Sequence, residues 1–114
     1  MDTSRREFLV ATALWLAASA ALANAAELPT FQLTAHDGRF QPETLEVPAG
    51  QRIKIVIHNE GPGAIEFEML SPFKEKVLGP GGQSFVIIAP LMPGTYPFFD
   101  EFHPDTGKGR IIAR

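Results

Sequence analysis

Acidic side chains at two places in the chain have the types and spacing that metal binding requires. Glu66 and Glu68 are two positions apart in the segment 64–70, so a β-strand there points both carboxylates to the same side. Adjacent carboxylates repel each other unless a cation lies between them. Acidic residues also surround a histidine in residues 100–105. One imidazole with two or three carboxylates is a hard, anionic donor set that suits Fe²⁺, Fe³⁺, Mn²⁺ or Cu²⁺ better than Cu⁺.

The same residue types also fit structural roles. Exposed strand faces are often acidic, and hairpin tips favour aspartate, so spacing alone leaves both interpretations open. Asp105 precedes Thr106-Gly107 and fits an ordinary turn residue. His36 comes directly before the Asp37-Gly38 turn, and His58 ends an apolar segment. We interpret both of these histidines as solvated or capping residues.

Short β-type segments, punctuated by glycine and proline, must position these side chains. Their spacing of roughly 8–12 residues predicts an all-β sandwich or barrel. The alternation is clearest in residues 52–58, where Ile53, Ile55 and Ile57 point one way and the polar residues point the other. About eight strands are predicted, at residues 31–35, 44–47, 52–58, 64–70, 74–78, 83–89, 95–99 and 108–113.

Residues 1–25 are predicted to be a cleaved targeting segment, with Ala23-Asn24-Ala25 as the small-x-small cleavage site and Ala21-Leu22-Ala23 as a second candidate. A basic start precedes the apolar stretch 8–23, which is short for a membrane-spanning helix. Ser4-Arg5-Arg6-Glu7-Phe8-Leu9 matches the twin-arginine export pattern, and an ordinary secretory signal is the alternative. We therefore expect a periplasmic protein without stable membrane insertion after cleavage; an uncleaved anchor is the other interpretation.

Residues 26–114 form one small predicted domain whose composition limits its function. The net charge of −3 and the absence of a basic run argue against nucleic-acid binding. The chain has no cysteine, so neither a disulfide nor a copper–thiolate site can form. It also lacks a phosphate-binding loop, a zinc-protease helix and a nucleophile triad, which argues against a hydrolytic enzyme.

Several segments together resemble small bacterial cupredoxins. The opening half of the resemblance is in residues 37–42, 45–50 and 55–59, and the closing half is in Gly94-Thr95-Tyr96 with residues 100–103. The resemblance covers nearly all of residues 26–114. It implies a cupredoxin-like Greek-key β-sandwich.

A narrower resemblance rests on Glu66-Phe67-Glu68 and on residues 75–81. These segments are similar to the cupredoxin domain of EfeO-type iron-uptake proteins and to the FtrB-type cupredoxin component of ferrous-iron transport. The similarity implies a periplasmic protein that binds copper, iron or both and takes part in Fe²⁺ oxidation. Its implied partners are a membrane iron permease and a periplasmic iron-binding protein.

The chain departs from the family pattern at the residues that would bind copper. Cupredoxins hold copper with Cys, His and Met in the last hairpin, where this chain has Asp100 and His103 and no methionine follows. EfeO-type domains often carry cysteines at the positions of Phe40 and Asp100. In the cupredoxin topology, the strand with the two glutamates ends beside this hairpin. The resemblance therefore implies a metal site whose primary ligands are Glu66, Glu68, Asp100 and His103, with Glu101 and Asp105 as secondary or alternate ligands.

Three functions remain open at this stage. The first is a ferroxidase component for iron uptake, and the second is a copper or iron carrier without catalysis. The third is a metal-free domain that docks to a partner protein, for which Phe102, next to His103, is the best-placed apolar residue.

Overall fold

The computed structural model describes residues 27–114 as nine strands in two sheets, which confirms the all-β sandwich. The predicted targeting segment 1–25 lies outside the described residues. The strands are β1 (Thr30–His36), β2 (Arg39–Gln41), β3 (Thr44–Val47), β4 (Ile53–Asn59), β5 (Ile65–Leu70), β6 (Phe73–Leu78), β7 (Gln83–Ile88), β8 (Gly94–Asp100) and β9 (Lys108–Ala113).

Eight of these strands match the predicted segments, and the additional one is the short strand β2. The Asp37-Gly38 turn between β1 and β2 has positive φ at both residues, 51° and 72°. Two consecutive positive φ values produce a turn whose twist matches paired antiparallel strands. The turn was therefore predicted from its residue types, whereas the three-residue strand that follows it was not.

The strand order is β2-β1-β4-β7 in the four-stranded sheet and β3-β9-β8-β5-β6 in the five-stranded sheet. The pairs β1/β4 and β3/β9 are parallel, and the other neighbours are antiparallel. This arrangement fits a Greek-key sandwich. It places β8 at the centre of the five-stranded sheet, with β5 on one side and β9 on the other.

The core fills the space between the inner faces of the two sheets. Ile53, Ile55 and Ile57 of β4 are fully buried, as the alternation predicted. On the facing sheet Phe67 is also fully buried, and its ring packs against the rings of Phe40 and Phe98. Each such buried side chain contributes about 1.5–3 kcal/mol through apolar burial. The inward direction of Phe67 forces its neighbours on β5 to point outward.

The loop between β4 and β5 is held by buried Asn59. Its side-chain amide donates to the carbonyl oxygens of Gly63 at 2.8 Å and Leu78 at 3.1 Å, and its Oδ1 accepts from the Gly61 amide at 2.8 Å. The Asp37 amide in turn donates to the Gly61 carbonyl at 2.9 Å. These bonds fix the β1–β2 turn beside the β4–β5 loop. The Thr106 hydroxyl also donates to the Gly38 carbonyl at 2.7 Å, which joins the turn to the loop that follows β8. Residues 27–114 include no helix long and apolar enough to cross a membrane.

Candidate metal site

Asp100, the last residue of β8, is buried and has hydrogen-bond partners on both carboxyl oxygens. Its side chain is on the inner face because Asp100 is paired with Phe67. Oδ1 accepts from the backbone amides of Glu66 at 2.9 Å and Phe102 at 3.0 Å. Oδ2 lies 2.6 Å from Nδ1 of His103. Asp100 therefore joins β5 to the loop that follows β8, and its oxygens are already engaged.

His103 is held in one orientation by this carboxyl group and by the β1–β2 turn. Because a carboxylate oxygen accepts, we assign the hydrogen of this contact to Nδ1 of His103, which leaves Nε2 for a ligand. Histidines that bind metals usually donate their other ring N–H to a carboxylate or a carbonyl in this way. The ring packs on Gly38, where a Cβ atom would come within 2.9 Å of the His103 Cδ2 atom, and 38% of the side chain is exposed.

Four glutamates gather on the opposite side of the same sheet, the outer face, which points away from the four-stranded sheet. Glu68 is directly paired with Glu75 of β6, and the amide of Glu101 donates to the carbonyl of Glu66 at 2.9 Å. The side chains of cross-strand neighbours share a face and lie about 5 Å apart at their Cβ atoms. We call Glu66, Glu68, Glu75 and Glu101 the acidic cluster.

Desolvation, and then interactions within the acidic cluster, raise the pKa of two of its members. The pKa of Glu66 is raised above its usual value by desolvation, then by a hydrogen bond and charge repulsion from Glu75. The pKa of Glu68 is raised by desolvation, then by the same two interactions with Glu101. Like-charged groups held close together gain most from a counter-ion, because the cation removes the repulsion. The cluster is therefore an electrostatically favourable place for a cation.

The predicted ligands thus form two groups at one end of the sandwich rather than one group. Glu66, Glu68 and Glu101 are together on the outer face, while Asp100 and His103 are paired on the inner side. The backbone of Glu66 connects the two groups. Its amide donates to Oδ1 of Asp100, and its carbonyl accepts from the amide of Glu101. Exposed Asp105 lies in the turn that leads to β9, the position expected of an ordinary turn residue.

The side-chain positions do not by themselves complete a metal site. In the described part of the chain, no three His, Asp or Glu side chains form a group that could hold an ion as they stand. A copper–thiolate centre does not fit, because Asp100 occupies the cysteine position and its oxygens bond His103 and backbone amides. Metal binding by Glu66, Glu68, Asp100 and His103 therefore stays a prediction.

Glu75 is the member of the acidic cluster that the sequence analysis missed. It lies within a segment that was predicted as a strand, so its alternation with Lys74 and Lys76 was visible in the sequence. The pairing of Glu75 with Glu68, however, depends on the tight turn between β5 and β6. That register decides which residue of β6 faces Glu68, and composition does not reveal it.

The sandwich and the sequence together define the class of this protein. The family model of the cupredoxin-like domain matches residues 8–113, and the chain belongs to that family. The fold is similar to auracyanin A, a "blue" copper protein of Chloroflexus aurantiacus, with a TM-score of 0.66 and 15% identity over 77% of this chain and 100% of that one. It is also similar to the metal binding domain of the Streptococcus pneumoniae Cu(I) exporting P-type ATPase CopA, with a TM-score of 0.63 and 17% identity over 75% of this chain and 84% of that one. At these identities, the likeness concerns the fold alone.

Two relatives narrow the relationship within the family. The chain is 40% identical to the protein RP394 of Rickettsia prowazekii over 82 residues, which is 72% of this chain and 66% of the relative. It is 34% identical to the iron uptake system component EfeO of Escherichia coli K12 over 113 residues, which is 96% of this chain and 30% of EfeO. The resemblance to EfeO-type domains is thus confirmed, although the chain spans less than a third of the EfeO length.

Proposed function

We propose that this protein is an exported component of an iron-uptake system and binds iron as its cargo at the acidic cluster. The observation that carries the proposal is the convergence of four glutamates on one outer face, two of them with a raised pKa. The relationship to the iron uptake system component EfeO supports the pathway. The twin-arginine pattern at Arg5-Arg6 supports export to the periplasm. A membrane iron permease and a periplasmic iron-binding protein are the corresponding partners.

Iron suits this cluster because carboxylate oxygens are hard ligands. Glu66 and Glu68 are the primary ligands in this proposal, with Glu101 beside them and Glu75 completing the set. Glutamate side chains have several rotatable bonds, so a cation can draw neighbouring carboxylates together when it neutralises their repulsion. His103 supplies its free Nε2 at the rim, while Asp100 orients the ring and does not bind the ion directly.

The cluster also favours oxidation of the bound ion. A carboxylate set stabilises Fe³⁺ more than Fe²⁺, because the more highly charged ion gains more from negative ligands. Each Fe²⁺ that is oxidised loses one electron, and dioxygen is the acceptor that we propose: four Fe²⁺ ions, oxidised in turn, and four protons reduce one O₂ to two water molecules. We therefore propose a ferroxidase step in which the carboxylates lower the potential of the iron. A copper–thiolate centre has no part in this step, because the residues at the usual copper position do not fit it.

A carrier that binds copper or iron without catalysing oxidation and a metal-free docking domain are the two alternatives. Anaerobic titration of the purified protein with Fe²⁺, and separately with Cu²⁺, followed by admission of air, distinguishes them. We expect Fe²⁺ to bind and Fe³⁺ then to form faster than in buffer. Binding without faster oxidation indicates a carrier, and the absence of binding by either metal leaves the docking domain.

Matched variants locate the site in the same experiment. Glu66→Gln removes one ligand charge with little change in shape, and we expect it to abolish the acceleration. Glu60→Gln is the control, because Glu60 lies beside His36 and is not among the groups that interact with Glu66 or Glu68. Equal loss in both variants, or no loss in Glu66→Gln, would contradict the proposed site.

A further inference from the structure

The outer face of the five-stranded sheet carries large apolar side chains that are exposed to solvent. Leu70 of β5 is 68% exposed, and Phe73 of β6 is 60% exposed. Two shallow grooves, of about 470 and 410 Å³, meet at Thr95, Pro97 and Phe99 of the central strand β8. An exposed apolar sheet face on a small domain is a feature of interaction surfaces.

An acid and a base lie in the same row on either side of β8 on this face. Glu68 of β5 and Lys108 of β9 are both paired with Phe99, so the three residues form one row across the sheet. Neighbouring strands are about 4.8 Å apart, which separates Glu68 from Lys108 by about 10 Å. Neither residue takes part in an ion pair within residues 27–114. The acid and the base therefore lie at about equal distances on opposite sides of Phe99.

We propose that this face binds a second copy of the chain. The two-fold axis lies between the two facing sheets and is parallel to β8. Rotation by half a turn about that axis exchanges the positions of β5 and β9. It places Glu68 opposite the partner's Lys108, and the partner's Glu68 opposite Lys108. Phe99 of the two copies meets at the axis, and Leu70 packs on the aliphatic part of the partner's Arg110.

The charge pattern is the reason to assign the face to a second copy rather than to another protein. A two-fold interface uses one surface twice, so each group on one side of the axis must complement the group on the other side. The row formed by Glu68, Phe99 and Lys108 meets this condition, because the three residues are directly paired across the sheet and lie at the same height along β8. A face of five strands and about six residues measures about 24 by 20 Å. That is about 480 Å² from each copy, below the roughly 800 Å² per partner of stable complexes, so we expect a weak dimer that forms only at high concentration.

A charge exchange tests the proposed pairing. The full chain is expressed with its own residues 1–25, purified as the cell processes it, and studied by sedimentation equilibrium over a wide concentration range. We expect a monomer–dimer equilibrium. Lys108→Glu and Glu68→Lys should each raise the dissociation constant at least tenfold, because each places like charges opposite each other twice. The double variant should return the dissociation constant to within about threefold of the parent value.

A charge change on the other sheet is the control for this experiment. Arg52→Glu makes the same charge change next to β4 of the other sheet, and it should leave dimerisation unchanged. A parent chain that stays monomeric, or single variants that dimerise like the parent, would overturn the proposal. Failure of the double variant to restore dimerisation would overturn the Glu68–Lys108 pairing. Glu68 belongs to both proposals, so sedimentation is carried out without added metal. Lys108→Glu keeps all four carboxylates of the acidic cluster and therefore tests the interface separately from iron binding.

Discussion

Asp100 and Glu101 are consecutive acids in one hairpin, yet their surroundings are opposite. Asp100 points into the sandwich, where two backbone amides and the His103 ring satisfy its oxygens. Glu101 is exposed and adds its charge to those of Glu66 and Glu68 on the other side of the sheet. The difference shows that alternation along a strand gives neighbouring carboxyl groups separate roles. One acid stabilises the fold, and the next one is free to act on a ligand.

The largest effect on stability is expected from removal of the buried acid of this pair, Asp100. Asp100→Ala removes the acceptor for the amides of Glu66 and Phe102 and for His103, which leaves part-buried donors without partners. We expect a loss of about 2–4 kcal/mol in the free energy of unfolding, measured by urea denaturation. Glu101→Ala is the matched variant on the exposed side and should change stability little. Similar losses in the two variants would contradict the distinction.

A second change affects the hairpin that supports Asp100. An added Cβ at Gly107 would come within 2.6 Å of the Asp100 Cβ atom and 3.0 Å of the His103 carbonyl oxygen. Because both neighbours are held by hydrogen bonds, Gly107→Ala should lower stability by about 1–3 kcal/mol. Gly63→Ala is the control, since no atom lies within 4 Å of a Cβ at that position. Equal unfolding midpoints for the two variants would argue against a rigid hairpin.

On the exposed side, removal of a charge should weaken cation binding without loss of the fold. Glu66→Gln and Glu68→Gln should each reduce Mn²⁺ affinity about tenfold, or about 1.4 kcal/mol, as measured by calorimetry. Mn²⁺ is suitable because it resembles Fe²⁺ in ligand preference and does not oxidise during the titration. Asp105→Asn is the control, because it also replaces a carboxylate by a neutral amide, in the turn before β9. This variant should bind Mn²⁺ like the parent. If it loses as much affinity as Glu66→Gln, the metal lies nearer the hairpin tip.

Cation affinity should also depend on pH because protons compete with the metal. The pKa values of Glu66 and Glu68 are raised above the ordinary 4.5, chiefly by desolvation and by Glu75 and Glu101. Mn²⁺ affinity should therefore begin to fall at a higher pH than it would for ordinary carboxylates, and it should keep falling as the pH drops towards 4.5. Affinity that stays constant down to pH 4.5 would show that these two groups are not ligands.

The smallest effect concerns the stability of the metal-free protein. A raised pKa means that the folded state binds more protons than the unfolded state, so stability falls as pH rises from 4.5 through the raised folded values. Glu68→Gln removes a partly desolvated charge that neighbouring glutamates repel. The variant should therefore have a slightly higher urea midpoint than the parent at neutral pH. The difference should vanish below pH 4.5, where both states are protonated. A difference that is independent of pH would point to packing rather than charge.

Much of the fold was predictable from residue patterns because strand alternation is a local property. The isoleucines of β4 and the direction of Phe67 followed from a period of two, and the Asp37-Gly38 turn followed from its residue types. The short strand β2 was not predicted, since three residues carry too little pattern to distinguish a strand from a turn. Its existence depends on the partner that β1 provides.

The sequence by itself determined that Glu66 and Glu68 share a face, that no thiolate can bind copper, and that the acids of the last hairpin lie close together along the chain. Only the tertiary structure decided which acids meet in space. Cross-strand register brought Glu75 to Glu68, and strand direction turned Asp100 inward, away from the glutamates with which it had been grouped. The physical reason is that pairing between strands is set by turns and core packing across the whole sheet, and a shift of one residue exchanges its two faces.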